Sequence, residues 1–123
     1  MMKYNKLVRD RIPEIIRKKG GNPKFHIAGS NYQFWGKLRE KLSEEAEELL
    51  EAVTKYIKTE APKDEKRLIE ETADFLEILD AVLQYRGDRK PLTSSQINRI
   101  LSAKRKKAKE RGRFKKRIIL EES

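Results

Sequence analysis

Two consecutive stretches of this chain repeat apolar residues at helical spacing while most of their other positions are charged. Leu38, Leu42, Ala46, Leu49, Val53 and Tyr56 make the first stripe; Leu68, Phe75, Leu76, Leu79, Val82 and Leu83 make the second. A stripe this narrow cannot leave water on a lone helix, so the two must pack on each other or on something else. The pattern predicts helices over residues 32–58 and 65–85. Thr59 to Lys63 forms the break between them, with Pro62 inside it and Asp64 as an N-cap. The expected fold is all-α: an antiparallel helical hairpin with flanking helices, in a single domain over residues 1–123. Hydrophobic residues are only 37% of the chain and charged residues 41%. A hairpin this polar buries one side of its seam and leaves another open. A homodimer or homotetramer would close it, completing a four-helix-bundle-like core.

The flanks are read in the same way. Ile12, Ile15 and Ile16 give a short helix one apolar side, with Pro13 in its first turn and Gly20-Gly21 as its stop. Asn22 to Ser30 reads as loop, with an extended piece near Phe25 and Ile27. Beyond Gly87, the stretch to Pro91 reads as loop, and Thr93, Ser94 or Ser95 can cap a further helix that stops near Gly112. Phe114 to Glu122 then suits a short strand or an extended clamp.

Several classes are excluded early. There is no run of roughly 20 apolar residues to span a membrane, and the start does not resemble a signal peptide. The absence of cysteine rules out disulfides and thiolate metal sites. A cytoplasmic protein is the expectation. The net charge of +10 suggests nucleic acid, but its distribution argues for something narrower. Residues 1–39 carry ten basic and two acidic groups, residues 40–82 six and fourteen, and residues 83–123 fourteen and four. An acidic middle would repel a phosphate backbone. It suits carboxylates that hold cations, with Lys and Arg from the ends meeting a polyphosphate.

The acids that matter are Glu44-Glu45-x-x-Glu48 and Glu71-x-x-Asp74. Composition alone favours a solvated face, since Glu is a good helix former. Position on the helix changes that. At about 100° per residue, Ile78 falls between Glu71 and Asp74, with Tyr85 beside them. Glu45 lies next to Leu49 and Tyr56, and Glu48 just beyond; Glu44, Glu47 and Glu51 point to water. Each helix thus directs an i, i+3 pair of acids at the seam. Four carboxylates in a partly dry seam cannot all stay ionised without compensation. An all-oxygen donor set calls for Mg²⁺, or Mn²⁺ in its place. Two such cations would clamp a phosphate and activate a water. Salt bridges within one helix, such as Glu51 with Lys55, are the bland alternative.

The run Lys41-Leu42-x-Glu44-Glu45-x-x-Glu48-Leu49 followed by Glu70-Glu71-x-Ala73-Asp74 resembles the signature of the all-α nucleoside triphosphate pyrophosphohydrolases, which include MazG-like enzymes, dimeric dUTPases and phosphoribosyl-ATP pyrophosphohydrolase. The start Tyr4-Asn5-Lys6-Leu7-Val8-Arg9-Asp10-Arg11-Ile12-Pro13 and the end around Lys106 to Ile118 resemble a short MazG-like branch. The resemblance implies metal ligands at Glu45, Glu48, Glu71 and Asp74, and hydrolysis of a nucleotide substrate between its α- and β-phosphates. Glu44 and Glu45 become the catalytic candidates, Glu44 by orienting or deprotonating the attacking water. Lys41 reaches a phosphate or pairs with Glu45. Lys6, Arg9 and Arg11 from one end, and Arg111, Lys115, Lys116 and Arg117 from the other, are placed to neutralise phosphate oxygens. Phe34 and Trp35 either stack on a base or belong to the core. His26 reads as a loop or packing residue. House-cleaning of non-standard nucleotides is the role that the resemblance implies. Phosphoribosyl-ATP hydrolysis uses the same bond. A helical nucleic-acid binder built on Lys104 to Lys109 is the reading of another class, and it leaves the inward acids unexplained.

Overall fold

The computed structural model describes residues 5–84 and 93–123. Tyr85 and the loop expected from Gly87 to Pro91 lie outside them. Among the described residues there are four helices and no strand: α1 (Ile12–Lys18), α2 (Asn31–Thr59), α3 (Pro62–Gln84) and α4 (Ser94–Arg111). None is long and apolar enough to cross a membrane. Packing divides the chain into two compact units, Met1–Pro91 and Leu92–Ser123.

In the first unit, α2 and α3 form the hairpin. Ser30 caps α2 by accepting a hydrogen bond from the Gln33 N–H at 3.1 Å, and Gln33 in turn accepts from the Gly29 N–H at 2.8 Å. With 29 residues α2 runs for about 43 Å. It ends where Glu60 takes a left-handed backbone, φ 49°, and its N–H reaches the Tyr56 carbonyl. Only Glu60 and Ala61 separate the two helices.

Here the structure corrects the expected start of α3. Pro62 opens the helix rather than standing in the break, since the first helical position needs no N–H. Asp64 is therefore not the N-cap but lies inside the first turn, buried, with its carboxylate accepting from the Thr59 hydroxyl. The same hydroxyl accepts from the Ala61 N–H at 3.2 Å. Thr59 and Asp64 thus staple a turn too short to do anything but reverse the chain.

Leu38 (1% exposed), Ala52 (0%) and Ile78 form the buried apolar core of the seam. Glu51 does not pair along its own helix with Lys55, as the spacing suggested; it reaches across to Arg67 at 3.3 Å. Leu50, Ile57, Ile69 and Leu76 stay exposed on the two helices. Helix α1 is stopped by Gly20, whose φ of 90° is costly for any residue with a Cβ. The extended piece expected near Phe25 and Ile27 forms no strand, and both side chains are exposed.

In the second unit, α4 starts at a capping box between Thr93 and Gln96, which settles the choice among three hydroxyl residues. It ends at Gly112, φ 79°. The tail beyond is irregular, without the strand that Ile118-Ile119-Leu120 suggested, and those three residues and Phe114 are exposed.

Candidate metal centre

The acids of α2 and α3 meet across the seam. One carboxylate oxygen from each of Glu45, Glu71 and Asp74 lies within 4.8 Å of the others, close enough for a single cation to touch all three. Glu45 is 7% exposed, and Glu71 and Asp74 are half-buried. Glu45 owes its burial to its place at the edge of the α2 stripe. Glu71 and Asp74 owe theirs to flanking Ile78, the most buried apolar residue of α3.

Partners cover only part of this charge. Lys41, one turn before Glu45 on α2, pairs with its Oε1 at 3.1 Å and stands 3.8 Å from Glu44. Arg9 donates from Nη2 to Asp74 Oδ1 at 2.9 Å. Lys6 lies 3.7 Å from Glu44. Oε2 of Glu45 and Oε2 of Glu71 are buried, and among the described residues neither finds a hydrogen-bond partner. An ionised oxygen in that position costs stability unless a cation meets it. Glu44, Glu45, Glu48, Glu71 and Asp74 outnumber the basic groups that face them, Lys6, Arg9 and Lys41, and a cation would offset the excess.

Glu48 does not share the three-oxygen cluster but stands against it. Its carboxyl is pushed above the ordinary glutamate value, first by loss of water and then by the charges of Glu45 and Glu71, a hydrogen bond with Glu71, and Glu44. A cation beside those acids would oppose that upward shift.

The expected site residues separate into four groups. Glu44, Glu45, Glu48, Glu71, Asp74, Lys6, Arg9 and Lys41 come together. Glu44 does so against the helical-wheel expectation, being half-buried and held by Lys6 and Lys41 rather than pointing to water. Arg11 instead turns to Glu14 at 3.4 Å, next to it at the start of α1. Trp35 is half-buried near the start of α2, beside Phe34 in sequence. Arg111, Lys116 and Arg117 belong to the second unit and are exposed there. Sequence reasoning missed Lys37, whose Nζ donates to the Asn5 carbonyl at 2.8 Å and ties the N-terminal segment to α2. No periodicity marks a lysine that serves a backbone carbonyl 32 residues away. Compared with known proteins, the chain matches no protein-family model, no curated protein and no solved structure.

Proposed function

We propose that the chain is a Mg²⁺-dependent hydrolase that cleaves nucleoside triphosphates between the α- and β-phosphates. The products are a nucleoside monophosphate and pyrophosphate. The observation that carries this reading is the pair of buried, unpartnered carboxylate oxygens on Glu45 and Glu71, in a three-oxygen cluster with Asp74. Structural acids on a solvated face have no need of such burial. Glu45, Glu71 and Asp74 would hold the cation, with Glu48 beside them. A bound Mg²⁺ supplies Lewis-acid polarisation of phosphate oxygens and a lowered pKa for a coordinated water.

The chain's own residues do the rest. Glu44 is held by two lysines at the rim of the cluster, where it can orient the attacking water and accept its proton. One water adds across the anhydride: its oxygen bonds to phosphorus, and the bridging oxygen departs with the other fragment. Lys6 and Lys41 offer charge to the phosphates, and Trp35 offers an aromatic face to the base. The MazG-like resemblance and a house-cleaning role belong to the same proposal. So does a homodimer, in which a second hairpin covers Leu50, Ile57, Ile69 and Leu76.

Phosphorus NMR of the products from canonical and modified triphosphates with Mg²⁺ tests the reaction. Monophosphate and pyrophosphate support it. Diphosphate and inorganic phosphate would mean a different bond and contradict it. If no triphosphate turns over, phosphoribosyl-ATP is the next substrate; failure there too leaves the basic surface and nucleic acid as the leading alternative.

A further inference from the structure

Residues 5–11 form a strap fastened at both ends. The Asn5 carbonyl accepts from Lys37 Nζ on α2 at 2.8 Å. At the other end, the Arg9 carbonyl accepts from the Ile12 N–H at 3.1 Å and the Arg11 carbonyl from the Ile15 N–H at 3.0 Å, joining the strap to α1. Between these fastenings two basic side chains lie on the acids, Lys6 on Glu44 and Arg9 on Asp74. Asp74 therefore has two claims upon it. It is one of the three oxygens close enough to hold a cation, and it is the acceptor for the Arg9 guanidinium. A guanidinium and a dication on one carboxylate repel each other. The Arg9–Asp74 pair is exposed enough to be weak, since both side chains are about half open to water.

Resting on the metal-centre reading above, we propose that Arg9 is exchanged between Asp74 and the substrate. Arg9 gives up Asp74 to a divalent cation held by Glu45, Glu71 and Asp74. The fastened strap keeps the freed fork at the seam, where it binds a phosphate oxygen of the incoming triphosphate. Cation and nucleotide then help each other bind, because the first releases the group that the second needs. Arg9 resists the cation when no nucleotide is present and favours the nucleotide once the cation is there.

Titration of the full chain with Mn²⁺, followed by electron paramagnetic resonance, tests this directly. Wild type, Arg9→Gln and Arg17→Gln are compared, with and without an α,β-imido nucleoside triphosphate. Arg17→Gln removes the same charge from α1, at a residue with no role in the site. The expected result is that Arg9→Gln binds Mn²⁺ up to about fivefold more tightly than Arg17→Gln without nucleotide. It should also lose most of the gain in analogue affinity that Mn²⁺ confers on wild type. Equal Mn²⁺ affinities in the two variants, or weaker binding by Arg9→Gln, would overturn the exchange while leaving the metal centre standing. No Mn²⁺ binding by any of the three would overturn both.

Discussion

At the scale of single residues, Glu45 and Glu71 carry a cost that a bound cation would relieve. Each keeps an oxygen from water with no donor among the described residues to meet it. Replacing Glu71 by Gln removes one of the repelling charges. In chelator, thermal unfolding of Glu71→Gln should therefore show stability equal to or about 1 kcal/mol above wild type. Millimolar Mg²⁺ should raise the melting temperature of wild type and leave that of the variant unmoved. A variant that loses stability in chelator would make the acid structural. Glu48 sets the pH dependence. Its folded-state pKa is raised, so its ionised form is disfavoured by folding. Its contribution to stability is fully present below the ordinary glutamate value and is lost as pH rises through the raised one. In chelator, unfolding measured across that window should show stability increasing as the pH falls. Mg²⁺ affinity should move the other way, weakening over the same window as the proton competes for Glu48. A Glu48→Gln variant should flatten both trends.

At the scale of elements, the hairpin depends on a two-residue turn and on one fully buried leucine. Thr59→Val leaves the buried Asp64 carboxylate without its hydroxyl donor and should destabilise by roughly 1–3 kcal/mol in urea unfolding. Leu38→Ala should cost about 2–5 kcal/mol, because Leu38 is the only large side chain among the described residues that is fully enclosed. This scale was also the most legible in the sequence. The apolar period located α2, α3 and α4, and a hydroxyl residue and a glycine marked the two ends of α4. What it could not locate has physical reasons. Pro62 reads equally as a breaker and as a first helical residue, and only the staple between Thr59 and Asp64 decides. The helical wheel sent Glu44 outward because it considered two helices, whereas Lys6 comes from a third segment. Glu51 found Arg67 across the seam, a neighbour that no spacing along one helix discloses. The inward set of acids was legible because burial follows the stripe. Arg11 pairs with Glu14, three residues on, a local partner that the reading of the basic end did not consider.

At the scale of the whole molecule, the proposed function assigns cations to the acidic hairpin and phosphate anions to the basic ends. The strap from Asn5 to Arg11 brings the first basic end onto the acids. The tail's Arg111, Lys116 and Arg117 are exposed on a separate unit. The hairpin's exposed apolar residues predict self-association. Sedimentation equilibrium should give a dimer or tetramer, and Leu76→Glu with Ile57→Glu should shift it towards monomer. A monomeric wild type at micromolar concentration would remove the bundle from the account. In the proposed chemistry the seam acids hold a divalent cation in order to hydrolyse a triphosphate. Its most direct test is the rate of pyrophosphate release by wild type and Glu45→Gln, in Mg²⁺ and in chelator. Chelator should abolish release, and Glu45→Gln should lower it by at least about a hundredfold with the fold intact by circular dichroism. Release that survives chelator, or that Glu45→Gln leaves unchanged, would contradict it.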